Sequence, residues 1–189
     1  IGLGIATKGK SGKTLDAYFP FILFQNGENE LDKYFQQFND LIENDLMQIE
    51  NINLLDIDDE EFNNSFSNLA TNKIIVLCRI SEDKPIKSIE EAYLKLHLIS
   101  YKFFLPNSLN LENLFDNLEN VAWTNQGPIE IEGIEKEILL AKSTNQSLEI
   151  KSLDKFPPLT DYIIPPGVRI ADTSRVRLGA YLSEGTTVM

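Results

Sequence analysis

The sequence predicts an α/β (α+β) N-terminal domain that runs into the first turns of a parallel β-helix built from hexapeptides. Three observations carry that prediction. Strand-like and helix-like segments alternate through residues 1–158. Hydrophobic residues make up 42% of the chain and aromatic residues 10%, enough for a packed core. Finally, every sixth residue from Ile164 onward is aliphatic: Ile164, Ile170, Val176, Leu182 and Val188. An α-helix repeats near 3.6 and a half-buried strand at 2, so a period of six points to a hexapeptide coil.

The elements follow in order. "IGLGIAT" and "TLDAYFPFILF" read as two strands joined by the Gly/Lys turn "KGKSGK". Between Glu30 and Ile49 the residues Leu31, Tyr34, Phe35, Phe38, Leu41, Ile42 and Leu46 recur at three and four, which predicts one amphipathic helix. "EEFNNSFSNLA" reads as a shorter helix. "KIIVLCRI" is an almost continuous apolar run with β-branched residues, the pattern of a strand buried on both faces. Ser88 and Glu91 form a capping box before a helix with the stripe Ile89, Ala92, Tyr93, Leu96, Ile99 and Phe103, closed by Pro106. A short helix at "LENLFDNL" precedes a strand at "NVAWT" and a turn at "NQGP". Residues 129–142 fit strand or helix equally well.

The passage "DKFPPLTDYIIPPG" holds four prolines and reads as a linker, which places a boundary near Leu159, with one domain over 1–158 and the coil over 159–189. Inside the coil, the positions four residues after each aliphatic are Val168, Ser174, Ala180 and Thr186, all small or β-branched. Gly167, Gly179 and Gly185 fall at the bends, where a missing Cβ permits left-handed backbone. The alternative is a single hairpin with accidental spacing. A β-helix coil needs neighbours to cover its face, so the chain is expected to continue past Met189; its start at Ile1 also fits a piece of a longer protein.

A net charge of −12 argues against a general nucleic-acid or anionic-membrane binder, since phosphate neutralisation needs a basic surface. No apolar run approaches a membrane span and no basic-then-apolar leader opens the chain, which fits the cytoplasm. One cysteine, Cys78, and one histidine, His97, leave no basis for an internal disulfide or a Cys/His zinc cluster, and no metal is expected. "TKGKSGKT" ends like a phosphate-binding loop, but Thr7 stands where the first glycine belongs and a strand follows it, so it reads as a hairpin turn. "DIDDEE" opens like a calcium loop, but Glu61 takes the glycine slot and Ser67 the glutamate slot. Cys78 reads as inert packing, and His97 as a boundary residue satisfied by hydrogen bonds.

Of four arginines, Arg169, Arg175 and Arg177 lie within the coil. A guanidinium fork suits carboxylates and phosphates, which makes Arg175 and Arg177 the candidate binding residues. The competing reading pairs them with Asp172, Glu184 or a neighbouring subunit.

"GVRIADTSRVRLGAYLSEGTTVM", "VAWTNQGP" and "DKFP", and more loosely "GLGIAT" with "LDAYFP", resemble the tetrahydrodipicolinate N-succinyltransferases of lysine (diaminopimelate) biosynthesis, in the branch with a long N-terminal α/β domain. The resemblance implies a left-handed parallel β-helix and a homotrimer with active sites between neighbouring subunits. It implies transfer of succinyl from succinyl-CoA to the amine of the ring-opened substrate. In that family the catalytic carboxylate follows closely after "GTTVM", so no catalytic residue is assigned within this chain, and the 189 residues alone are expected to be inactive. Two alternatives stand beside it: another hexapeptide-repeat acyltransferase or sugar-nucleotide enzyme, and a non-catalytic domain that assembles trimers.

Overall fold

A computed structural model describes residues 1–49, 52–55, 57 and 60–189. Strands β1 (Gly2–Lys8) and β2 (Thr14–Ile22) form the expected antiparallel hairpin. Helix α1 covers only Phe35–Leu41, preceded by a 3-10 turn at Glu30–Tyr34, and Leu46–Ile49 is strand β3. The single helix expected over 30–49 is therefore wrong at its C-terminal end. Asn44 and Asp45 are turn formers, and Asp45 sits at φ 37°, a left-handed conformation that a helix does not continue through. The Asp45 carbonyl accepts from Arg79 N at 2.7 Å and its carboxylate from Arg79 Nε at 3.1 Å, so the turn is fixed beside the sheet.

Helix α2 (Glu60–Ser65) precedes strand β4 (Lys73–Cys78). The first sheet runs β2-β1-β4-β3, antiparallel throughout, with β4 interior. Strand alternation divides its core in two. Val76 and Cys78 join the cluster around helix α3 (Ile89–Ser100), while Ile75 and Leu77 join one with Leu3, Phe38 and Phe66. That division is why the run has no polar residues between its aliphatic ones.

Helix α3 starts as predicted: Ser88 Oγ accepts from Glu91 N at 3.1 Å, and Glu91 reaches back to Lys87 N at 3.0 Å. It is buried on all sides rather than along one stripe, with Ala92 through Ser100 all inside. Two polar residues within it are completely enclosed. Lys95 Nζ donates to Asp83 Oδ1 at 2.9 Å and to the carbonyls of Lys84 and Asn110 at 2.6 and 2.7 Å, tying two loops to the helix. Burial would raise the Asp83 carboxyl, but the hydrogen bonds from Lys95 and the Asn110 amide outweigh it and hold its pKa below the usual range.

After the short helix α4 (Leu114–Asn117), strands β5 (Val121–Thr124), β6 (Gly127–Glu130) and β7 (Ile150–Asp154) form a second antiparallel sheet, ordered β6-β5-β7. The segment left open as strand or helix is both: β6 first, then helix α5 (Ile134–Ser143), with Gly133 at φ 79° turning the chain between them. The proline-rich passage is not a loose linker. Leu159 is 1% exposed and Ile163 5%, and both share a cluster with Tyr93, Trp123, Val176 and Leu178.

Candidate functional site

Strand β8 (Arg169–Ile170) pairs with β9 (Thr187–Val188) in parallel, Arg169 opposite Thr187 and Ile170 opposite Val188, so partners are 18 residues apart. Arg169 N donates to Thr186 O at 2.9 Å, Ala171 N to Val188 O at 2.9 Å, and Gly185 N to Gly167 O at 2.8 Å. Gly167 and Gly185, also 18 apart, have φ of +67° and +83°. Backbone in that region suits glycine, so the chain can turn its corner there without a strained side chain. A Cβ on Gly167 would also meet Glu184 Cγ at 2.5 Å.

Residues 168–189 are seated on the rest of the chain by hydrogen bonds that the sequence pattern does not reveal. Ser100, the last residue of α3, accepts from Gly179 N at 2.8 Å and donates to Ala180 O at 3.0 Å. Leu159 N reaches Val176 O at 2.9 Å and Leu178 N reaches Pro157 O at 3.0 Å. Val176 and Leu178 are buried, and Ile170, Leu182 and Val188 are half-buried against the same core, whereas Glu184 is exposed. Ile164 departs from the expected register, being 77% exposed while Ile163 is buried. The prolines at 165 and 166 separate it from the coil, so the inward aliphatic positions begin at Ile170.

Both candidate arginines lie at this seat. Arg175 Nε pairs with Asp172 Oδ2 at 3.3 Å, and its side chain is 65% exposed, leaving the guanidinium open to solvent. Asp172 also accepts from Ser174, first through the hydroxyl and then the amide, and these bonds hold its pKa below the usual carboxylate range. Arg177 Nε pairs with Asp154 Oδ2 at 2.8 Å, and its Nη1 donates to Ser174 O. Burial would raise the Asp154 carboxyl, but Arg177 and the Phe156 amide together hold it low. Asp172 was foreseen as a partner; Asp154, 23 residues from Arg177, was not. Arg169 Nη1 approaches Met189 Sδ at 3.5 Å, and the three arginines do not converge on a common point within the chain.

The "DKFP" and "VAWTNQGP" segments meet beside this ion pair. Trp123 Nε1 donates to Asp154 O at 2.9 Å, and Lys155 Nζ donates to the carbonyls of Phe115 and Leu118, both at 2.6 Å. Asp154 therefore holds the tryptophan with its carbonyl and the coil with its carboxylate.

The remaining candidates resolve as packing. "KGKSGK" is the β1–β2 turn, with Gly12 at φ +84°, and Ser11, Lys10 and Lys13 bond Glu130, Glu137 and Glu119. Cys78 is buried in β4, and desolvation raises its pKa far out of reach of thiolate chemistry. His97 is not a boundary residue but fully enclosed: Nδ1 bonds Tyr93 O at 2.7 Å and Nε2 accepts from Phe19 N at 3.4 Å. Burial lowers its pKa to about 4, only partly countered by the Tyr93 carbonyl. Asp56, Asp58 and Asp59 of the calcium-like segment lie outside the described residues. Among the described residues no group of three His, Cys, Asp or Glu side chains could hold a metal ion, and no helix is long and apolar enough to cross a membrane.

Two models of one family match in tandem: tetrahydrodipicolinate N-succinyltransferase N-terminal over residues 23–116, and its middle domain over 118–157. A 2,3,4,5-tetrahydropyridine-2,6-dicarboxylate N-succinyltransferase from Vibrio cholerae is 35% identical over 200 aligned positions, covering 100% of this chain and 57% of its own length. One of the same name from Pseudomonas putida is 49% identical over 119 residues, 63% of this chain and 35% of its own. A Campylobacter jejuni crystal structure described as a 2,3,4,5-tetrahydropyridine-2-carboxylate N-succinyltransferase superposes over 100% of this chain and 55% of that one, at TM-score 0.75 and 30% identity. The chain thus spans little more than half the length of the relatives it matches from end to end. With tandem matches across most of its length and a shared architecture, the chain belongs to the tetrahydrodipicolinate N-succinyltransferase family.

Proposed function

We propose that residues 1–189 are the scaffold portion of a succinyl-CoA-dependent N-succinyltransferase, and that residues 159–189 start its left-handed parallel β-helix, with 1–158 as the α/β domain before it. The observation that carries the β-helix reading is the parallel pairing of Arg169 with Thr187, because 18 residues are three hexapeptides and so one three-sided coil. In this reading the substrate is the ring-opened tetrahydrodipicolinate of the lysine pathway, and the protein is a cytoplasmic homotrimer with sites between adjacent coils.

The reaction would join an amine nitrogen to the thioester carbonyl and expel the CoA thiolate. It requires a base for the amine proton and donors for the developing oxyanion. Arg175, whose guanidinium is open, is the better candidate for an anionic group of substrate or CoA; Arg177 is engaged with Asp154 and serves chiefly to orient the coil. The base is assigned to the part of the protein outside these 189 residues. A thiol-release assay with succinyl-CoA and tetrahydrodipicolinate tests the reading on this chain and on one extended to the length of its relatives. The extended chain should turn over and the short one should not. A silent but well-folded extended chain would refute the assignment, and turnover by the short chain would refute the placement of the base.

A further inference from the structure

A cleft of about 350 Å³ lies between the two sheets; none of Arg169, Arg175 and Arg177 lines it, and it has no part in the acyl-transfer reading. One side comes from a cross-strand row. Thr7 on β1 pairs with Asp16 on β2 and with Lys73 on β4, so an acid and a base flank one threonine. Both lean towards it: Asp16 Oδ1 accepts from Thr7 N at 3.2 Å, and Lys73 Nζ donates to Thr7 Oγ1. They nonetheless form no ion pair with each other, and among the described residues neither has any ionic partner.

That is an unusual state for Asp16, which is only 6% exposed. A buried carboxylate without a cation is unfavourable unless hydrogen bonds satisfy it. It accepts from Thr7 N and from the Tyr162 hydroxyl, leaving part of its capacity, about four lone-pair sites, unused. Aromatic rings line the cleft beside this row: Tyr18 on β2, Trp123 on β5 and Tyr162. Tyr162 stands edge-on to Tyr18 and to Trp123, with ring centres 6.0 and 6.4 Å away. Aromatic faces beside a carboxylate favour an organic ammonium, and an unpaired lysine nearby favours a carboxylate.

We propose that this cleft binds a free α-amino acid, its ammonium against Asp16 and the aromatic rings and its carboxylate against Lys73. Because both charged groups lean on the same threonine, the complementary charges of the ligand must be close together, as they are across one α-carbon. The volume suits a molecule of that size.

Trp123 is the single tryptophan of the chain and lies in the wall, so its fluorescence reads occupancy directly. The titration uses L-alanine, L-leucine and L-glutamine, and for the leucine shape 4-methylpentanoate and 3-methylbutylammonium, which carry one charge each. At least one amino acid should change the emission saturably, with each single-charge analogue weaker by about tenfold or more. Asp16→Asn, which keeps the hydrogen-bonding shape, and Lys73→Met should each weaken binding by a similar factor while retaining the wild-type melting temperature within a few degrees. If Asp16→Asn fails to fold, Lys73→Met and the two analogues decide. No saturable response to any of the three amino acids overturns the proposal, as does binding of a single-charge analogue as tight as leucine, or leucine binding indifferent to Lys73→Met.

Discussion

Replacing Ser100 by alanine removes one oxygen and leaves two backbone groups of the coil without partners, the Gly179 amide and the Ala180 carbonyl. Ser100 itself is 4% exposed, so the lost oxygen is not readily replaced by water from the helix side. Leaving a buried polar group unsatisfied costs about 1–3 kcal/mol. Gly179 and Ala180 are only half-buried, which places each at the lower end of that range and the pair near 2 kcal/mol in total. Urea unfolding should show the loss if the coil and helix α3 unfold together. If the coil opens by itself, exchange of the Gly179 amide should instead accelerate by about 30-fold, the factor corresponding to 2 kcal/mol. Ser100→Thr, which retains the hydroxyl, should recover part of either effect. Unchanged urea stability together with unchanged Gly179 exchange would refute the view that Ser100 seats the coil.

Lys95→Met should destabilise the protein by about 3 kcal/mol, since it orphans the Lys84 and Asn110 carbonyls and leaves the partly exposed Asp83 carboxylate only the Asn110 amide; a loss under 1 kcal/mol by urea titration would count against the buried clamp. The depressed His97 pKa means that the unfolded chain takes up a proton more readily. Its contribution is therefore fully present above pH 6.5 and lost as pH falls towards 4, by on the order of 3 kcal/mol. Wild-type minus His97→Gln stability should follow that slope, and a flat difference between pH 6.5 and 4 would contradict it. Leu182→Asp should cost about 2 kcal/mol or more by placing a charge against the core, and Arg177→Ala about 1 kcal/mol, both measured by thermal melting; the reverse order would argue that Leu182 faces outward.

What the sequence made legible was whatever a single periodicity encodes. The apolar run at 73–80 has only one stable environment, between two covered faces, and the structure supplies it with cores on both sides of β4. The bends at Gly167, Gly179 and Gly185 were legible because few other residues tolerate φ near +67° to +98°. The helix expected over 30–49 overran because Leu46 fits a three-four spacing and a strand alternation equally, and only the Asn44–Asp45 turn separates them. Helix α3 misled in the opposite direction. His97 beside the apolar stripe read as a boundary residue and Lys95 did not stand out, but Lys95 buries its charge where loops 11 to 15 residues away deliver carbonyls, and His97 is enclosed between Tyr93 O and Phe19 N.

The same limit explains why the partners of the candidate arginines were only half legible. A guanidinium inside a coil announces that some anion is near, yet local spacing identifies only near partners such as Asp172. Asp154 belongs to a different sheet, and its pairing with Arg177 depends on β7 lying beside β5, on Trp123 fixing the Asp154 carbonyl, and on Lys155 anchoring the next residue to α4. The first two contacts hold the second sheet together, while Arg177 and Lys155 tie it to residues 168–189 and to α4. "DKFP" and "VAWTNQGP" thus read physically as a joint that fixes residues 168–189 against the second sheet. If the proposed acyl-transfer reading holds, a tilt of a few degrees at Asp154 would displace groups further along the chain by more than the hydrogen-bond tolerance of such a site. Under that reading, Asp154 would be a positioning residue that touches no reactant. In the extended chain Asp154→Asn, which retains the backbone contact to Trp123 but removes the charge, should lower kcat more than it raises KM, and a rise in KM alone would show that the joint serves binding instead.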